Sequence, residues 1–349
     1  MKKQSITTGL IFILVILGLT SFQTLKAQTY AVGADLSFLK QAEDDGIEFK
    51  ENGEAKPGLE IFKDHGYNWI RLRLFHTPTR LPNSLEYTIA LAIEAKEMGF
   101  KFLLDYHYSD TWADPGKQFL PVAWEEFSHE ELVEAVYEYT KETMIAFREA
   151  GAFPDMVQVG NEISNGMLWP DGKLPENWDN FAELQQAGIN GVYAGCENTP
   201  APKIMVHIDK GGNWEFTKKW FDKFHTYKID YDIIGQSYYP WWHGSLLDLR
   251  ECLNFTAELY KKDIIVVEAA YNWTPREYVD KLAPFPETPE GQKEFWDEVN
   301  KVILSVPDNR GVGVYWWEPA TSRRGTRSFF DDNKNVLPVI TVFDKYTRK

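Results

Sequence analysis

The stretch EELVEAVYEYTKETMIAFREAGAFPDMVQVGNE, residues 130–162, decides the fold. From 130 to 150 apolar residues recur at helical spacing with charges on the opposite face, which predicts an amphipathic helix. The run 156–160 is short, apolar and rich in β-formers, which predicts a buried strand, and it stops at Asn161 and Glu162. Outward in both directions the chain repeats this alternation. Strands are expected at 30–37, 69–75, 100–106, 156–160, 203–208, 232–239, 264–269 and 311–317, with helices such as 87–98 between them. Eight such pairs predict an α/β protein, a single (β/α)8 TIM barrel whose catalytic residues sit at the C-terminal ends of its strands. An open doubly wound sheet would want a Gly-rich phosphate turn after the first strand, and AVGADLSF followed by LKQAEDD, 31–45, offers none. GIEFKENGEAK, 46–56, has Asn-Gly between β-compatible residues and predicts a small hairpin in the first loop.

The composition fits one large globular domain. Of 349 residues 44% are hydrophobic and 26% charged, which excludes a disordered, collagen-like or disulfide-scaffold chain. With 52 acidic against 37 basic side chains the net charge is −15 and no Lys/Arg block stands out, so nucleic acid is not an expected partner. Residues 1–27 read as an export signal: Lys2 and Lys3, an apolar run at 10–19, and Ala27 as a small residue before the cut. The catalytic domain is then 28–349, exported to a periplasm, cell surface or medium, with no membrane contact after cleavage; an uncleaved anchor is the rival reading. A monomer is expected. Cys196 and Cys252 both fall in helical stretches and are either a disulfide or two buried free thiols.

The expected strand ends share a habit. Trp112, Trp169, Trp214, Trp241, Trp242, Trp273, Trp316 and Trp317 all follow or close strands three to eight. One Trp is more often packing than ligand contact, but the repetition at one face predicts an aromatic-lined groove for sugars. Polar residues gather there too: Arg71, Arg73, Asp105, His107, Asn161, Glu162, His207, Asp209, Tyr239 and Glu268. Period-two spacing puts Arg71 with Arg73, Asp105 with His107 and His207 with Asp209 on one face of each strand. For these outer members a structural ion-pair network competes with function. Glu162 and Glu268 are different, since each ends an apolar run, MVQVGNE and IIVVE, where a carboxylate has no structural use. Two carboxylates on different strands across an aromatic groove are the equipment of glycoside hydrolysis. The His and Asp pairs are weak as metal motifs, and no G-x-S-x-G elbow supplies an acyl-transfer nucleophile.

DYHYSDTWADPGKQ (105–118), VGNEISNGMLWPDG (159–172), IGQSYYPWW (234–242), VVEAAYNW (266–273) and GVGVYWWEPA (311–320) together resemble glycoside hydrolase family 53, the endo-β-1,4-galactanases. The resemblance runs from about Gly33 to the C-terminus. It implies a retaining enzyme with catalytic glutamates at strands four and seven, Glu162 as acid/base and Glu268 as nucleophile. It further implies Asn161 as the contact to the sugar 2-hydroxyl, Arg71 and Tyr239 as partners of the nucleophile, and Trp317 as the platform under the sugar. Arg71, Asp105, His107, Trp112, Asp114, Asn161, His207, Asp209, Tyr239 and Trp317 make up the expected substrate-binding set.

The chain departs from the family pattern in two loops. Members of the family often hold the long seventh and eighth loops with calcium or a disulfide. Here NWTPREYVDKLAPFPETPEG lacks a spaced run of Asp and Asn, and TSRRGTRSFFDDNKN looks short. No cofactor and no metal is therefore expected; a structural calcium through Asp331 and Asp332 has little support, since an adjacent acidic pair is usually a solvated turn. Two other readings stay open: an endo-glycanase of the same clan acting on mannan, xylan or glucan, and a binding protein on an inactive scaffold, which should have lost one carboxylate.

Overall fold

The structure is a computed structural model, and it describes residues 30–276, 281, 283–323 and 325–347. The export segment and part of the seventh loop lie outside the described residues. Eight parallel strands close into a barrel: β1 (Ala31–Asp35), β2 (Trp69–Leu74), β3 (Lys101–Tyr106), β4 (Met156–Val159), β5 (Lys203–Ile208), β6 (Ile233–Tyr238), β7 (Asp263–Ala269) and β8 (Gly311–Trp316). Neighbours in sequence are neighbours in the sheet, and β1 pairs with β8 in register at Val32 and Val314. Helices α1 (Gly58–Asp64), α2 (Leu85–Glu97), α3 (His129–Glu149), α4 (Trp178–Cys196), α5 (Trp214–His225), α6 (Leu246–Tyr260) and α7 (Pro289–Leu304) follow β1 to β7. This is the expected TIM barrel, with strand ends within two residues of those read from sequence.

Local chemistry explains where the elements start. At α3 the Ser128 side chain accepts from the Glu131 N–H while the Glu131 side chain accepts from the Ser128 N–H, and Ser245 with Asp248 repeats this box at α6. The predicted hairpin pairs Lys50–Glu51 with Glu54–Ala55 through Asn52 and Gly53, both at positive φ. A second two-residue hairpin, Gly166–Met167 with Gly172–Lys173, sits in the β4 loop and carries no signal of that kind in the sequence.

The strands alternate between two environments. Outward residues such as Ile70, Leu72, Val157, Val206 and Val314 pack under the helices. Inward residues form an apolar floor of Trp69, Leu103, Met156, Met205, Ile233, Ile265, Val267 and Tyr315. The floor is tight: a Cβ on Gly33 would sit 2.1 Å from the Tyr315 ring. Above the floor the inward positions turn polar, with Asp35, Arg71, Arg73, Asp105, Gln158, His207 and Ser237 all buried. Such groups are tolerated only when paired, since an unpaired buried charge costs several kcal/mol, roughly 3–5.

Alternation also sorts the tryptophans. On β8 Trp316 points outward and packs edge-on against Trp296 at 5.2 Å, whereas Trp317 turns into the barrel mouth. Trp241 is buried and stacks on Tyr271 at 5.3 Å. The sugar-groove reading of all eight is thus corrected: Trp112 and Trp317 line the central cavity, Trp214 and Trp242 another one, Trp241 and Trp316 belong to the core, and Trp169 and Trp273 are half-buried with their indole N–H groups given to the carbonyls of Asn165 and Gly325. Cys196 and Cys252 are both buried and free, so the disulfide alternative is excluded. Among the described residues no helix is long and apolar enough to cross a membrane.

Candidate active site

Two backbone irregularities deliver the two glutamates. On β4 the chain leaves strand geometry at Gly160 (φ 86°) and again at Glu162 (φ 47°), so Asn161 and Glu162, adjacent in sequence, both line the same cavity. A left-handed glutamate costs of order 1 kcal/mol or more and persists because its surroundings fix it. On β7 the pairing with β6 shifts, with Gln236 opposite Val266 but Ser237 opposite Glu268. That bulge inserts one residue, so Val267 fills the floor and Glu268 still faces the mouth. Strict alternation from Ile265 would have turned Glu268 outward.

The glutamates meet in a cavity of about 300 Å³ at the C-terminal end of the barrel, also lined by Arg73, His107, Trp112, Asp114, Asn161, Tyr239 and Trp317. Carboxylate oxygens of Glu162 and Glu268 and a ring nitrogen of His207 lie within 4.8 Å of one another. That is also the spacing of a metal-ligand trio, but here the partners are already assigned. Glu268 Oε1 accepts from Arg71 Nη1 at 2.7 Å and Oε2 from the Tyr239 hydroxyl at 3.0 Å. Both ring nitrogens of His207 are engaged as well, Nε2 with Ser237 Oγ at 2.9 Å and Nδ1 with the Glu162 N–H at 3.4 Å.

The surroundings of the two glutamates differ in charge. Arg71, fully buried, reaches Asp35 (3.1 Å), Asp105 (2.8 Å) and Glu268 (2.7 Å) at once. Burial raises the Asp105 pKa, but Arg71 and His107 outweigh it and hold that carboxyl below the usual range. Burial pushes Glu268 upward, with Asp105 and Asp35 adding to it and Arg71 pulling it back. Glu162 has no ion-pair partner among the described residues. Burial lifts its pKa well above the usual range, and the charges of Glu268 and Asp209 add to this. One proton shared by the pair therefore resides on Glu162. Ser237 Oγ donates to Glu162 Oε1 at 2.6 Å, so the proton sits on Oε2. Since Ser237 donates there, it accepts from His207 Nε2–H; burial keeps His207 neutral, with a pKa well below normal.

The expected substrate-binding set divides in two. His107, Trp112, Asp114, Asn161, Tyr239 and Trp317 line the cavity. Arg71, Asp105 and His207 are fully enclosed and have no surface to offer a sugar, which corrects the expectation of direct sugar contacts; Arg71 sits on Glu268 as the partner of the nucleophile that the resemblance implies, Asp105 holds Arg71, and His207 takes the Glu162 N–H. Asp209 is likewise drawn aside, accepting from Ser164 and pairing with Lys210 at 2.7 Å. His107 does two things: Nε2 donates to Asp105 at 3.1 Å and Nδ1 accepts from the Ala113 N–H at 2.9 Å, which pins the loop carrying Trp112. Asn161 accepts from Arg71 at 2.8 Å and gives one N–H to the Ala113 carbonyl, keeping its second N–H for the cavity. Asp331 accepts from the Asn333 and Asn335 N–H groups and so caps its own turn.

Four residues were not singled out by the sequence reading. Gln158 and Ser237 are polar residues inside otherwise apolar strands, a signal that was available; Gln158 donates to Asp105 at 2.5 Å. Asp35 ends β1 and pairs with Arg71 and Arg73. Glu318, at φ 51°, pairs with Arg73 at 2.8 Å, yet burial lifts its pKa to about 7.

A parallel eight-stranded barrel with two buried carboxyls, one held by a guanidinium and one not, facing each other in a cavity lined by Trp112 and Trp317 defines a glycoside hydrolase of the two-carboxylate kind. The chain belongs to glycosyl hydrolase family 53, whose model matches residues 31–343. It is 42% identical over 314 residues to an uncharacterised protein from the bgaB 5′ region of Niallia circulans, covering 85% of each chain. It is 35% identical over 339 residues to the arabinogalactan endo-β-1,4-galactanase of Thermothelomyces thermophilus, covering 91% of this chain and 100% of that one. The GH53 catalytic domain of Ignisphaera aggregans superposes with a TM-score of 0.84 at 32% identity, over 95% of this chain and 98% of that domain.

Proposed function

We propose that the protein is an exported endo-β-1,4-galactanase that cleaves internal bonds of galactan, the side chains of pectin and arabinogalactan, by double displacement. The observation that carries the chemistry is the pair of carboxylates within 4.8 Å, one held by a cation and one not. Retaining enzymes place the two groups about 5–5.5 Å apart for direct attack, whereas inverting ones leave roughly 6.5–9.5 Å for a water. The sugar identity is supported by family membership and by the 35% identical galactanase. Export is supported by residues 1–27 alone.

In the first step a Glu268 oxygen attacks the anomeric carbon of the sugar lying on Trp317. The C–O bond to the departing chain breaks as Glu162 Oε2 delivers its proton to that oxygen. Glu162, now ionised, then takes a proton from water; the hydroxide displaces Glu268, and Glu162 is protonated again. Arg71 and Tyr239 fix both oxygens of the nucleophile, and Asn161 offers an N–H to the 2-hydroxyl. No step uses a metal, so activity at moderate temperature should survive a chelator; loss of activity restored by calcium would overturn that part.

The test is hydrolysis of unbranched β-1,4-galactan. Viscosity should fall early, and the first product anomer seen by NMR should be β. Release of galactose alone from the start, an initial α-anomer, or preference for mannan, xylan or glucan would overturn the reading.

A further inference from the structure

A second cavity, of about 290 Å³, adjoins the catalytic one and shares Trp112, Trp317 and Arg327 with it. Loops after β1, β2, β3, β7 and β8 form it. In the closed order of eight strands β8 stands opposite β4, and β4 carries Glu162, the group that protonates the departing side. The second cavity therefore receives the glycone side of the groove.

Its charge runs against that of the molecule. The chain carries −15, yet among the described residues this lining holds Arg80, Arg276, Arg323 and Arg327 against one carboxylate, that of Glu318. Glu318 is already paired with Arg73 at 2.8 Å. Arg80 and Arg323 are exposed, and neither has an ion-pair partner among the described residues. Arg327 bridges the two cavities, its guanidinium 5.6 Å from the Trp317 ring centre and 5.4 Å from that of Tyr239. Galactan is neutral, and hydroxyls are served by any donor or acceptor. A guanidinium fork matches a carboxylate, with which it makes paired, charge-assisted hydrogen bonds.

We propose that this cavity is a subsite for an anionic sugar, a unit bearing a carboxylate such as a uronate, on the glycone side of the cleaved bond. The proposal rests on the glycosidase reading above. It makes acid-bearing galactans better ligands than neutral ones, through Arg80 and Arg323 reaching the carboxylate while Trp317 and Trp112 carry the ring faces.

Two β-1,4-galactotetraoses decide it, differing only at C6 of the non-reducing unit, hydroxymethyl in one and carboxylate in the other. Binding is read by Trp fluorescence on the Glu268→Gln protein, which holds substrate without turnover, and kcat/KM on the wild type. The acidic sugar should bind about 10-fold tighter at low salt, with most of that preference gone at about 0.5 M salt. In the Arg80→Gln/Arg323→Gln protein the acidic-to-neutral ratio of kcat/KM should fall to about 1, because a folding defect lowers both substrates together and leaves the ratio intact. Equal dissociation constants, tighter binding of the neutral sugar, or a preference that survives in the double variant would overturn the subsite. Hydrolysis of neither sugar would overturn the glycosidase reading instead, so the two failures are distinct.

Discussion

Glu162 and Glu268 are the same residue type, equally enclosed, with oxygens within 4.8 Å, yet their neighbours are opposites. Glu268 stands in an ionic lattice with Arg71 on one oxygen and the Tyr239 hydroxyl on the other. Glu162 stands among neutral groups, Ser237 and an uncharged His207, with Glu268 as its nearest charge. The side of the mouth around β2 and β7 thus favours a carboxylate, and the side around β4 to β6 favours a carboxylic acid. Environment, not residue type, assigns the roles. It also gives the pH profile its sign: kcat/KM should fall on the acid side as Glu268 gains a proton and on the alkaline side as Glu162 loses one.

The hardest blow to this contrast is Glu268→Gln. With no nucleophile a covalent glycosyl intermediate cannot form, so turnover of both galactan and an activated aryl galactoside should drop by more than about 10⁴-fold. Glu162→Gln should be milder and selective. Galactan cleavage should slow by about 10²–10⁴, the usual value of a positioned acid, while the first step on an aryl galactoside with a good leaving group is spared. A Glu162→Gln protein equally slow on both substrates would mean that the two sites are not distinct in role.

Much of this arrangement was legible in the sequence, for identifiable reasons. Strand and helix periodicity sets the barrel, and carboxylates ending the apolar runs MVQVGNE and IIVVE mark the strand ends. What periodicity could not supply is the geometry that breaks it. Counted by twos from Ile265, Glu268 falls on the wrong face, and the bulge beside Ser237 corrects it. The sequence places both Trp316 and Trp317 in the expected sugar groove, but adjacent strand residues face opposite ways, and Trp316 is core. The full enclosure of Arg71, Asp105 and His207 depends on the loops folded over them, which no local pattern encodes.

Ser237→Ala sharpens the neutral side of the contrast at smaller cost. Its hydroxyl donates to Glu162, which favours the ionised form, so its removal should raise the acid's pKa further. The alkaline limb of kcat/KM should then move to higher pH. The plateau should drop by only about 3- to 10-fold, the value of one hydrogen bond that orients the carboxyl. A limb that moves to lower pH would show that Ser237 instead accepts from a protonated Glu162, and that the proton sits on Oε1.

The smallest effect concerns Glu318, which tests whether contact with a guanidinium is enough to hold a buried carboxylate ionised. Glu318 touches Arg73 at 2.8 Å much as Glu268 touches Arg71, but it lacks a phenol donor and its pKa is lifted to about 7 by burial. An acid whose folded pKa lies above its unfolded value binds more protons in the native state across the interval between the two, so stability falls as pH rises through it. The contribution is complete below the unfolded value of 4.5 and is lost by the time pH passes about 7. It amounts to at most about 3 kcal/mol, which for a domain of this size is a few degrees in Tm. Glu318→Gln is neutral at every pH and keeps an acceptor oxygen for Arg73, which also retains Asp35 at 3.3 Å. The variant should therefore match the wild type near pH 4.5 and gain on it, in Tm, as pH rises to about 7.5. A Tm difference that stays flat over that range would mean that Arg73 alone keeps Glu318 ionised. In that case the cation, without the Tyr239 hydroxyl, would suffice to set Glu268 apart from Glu162.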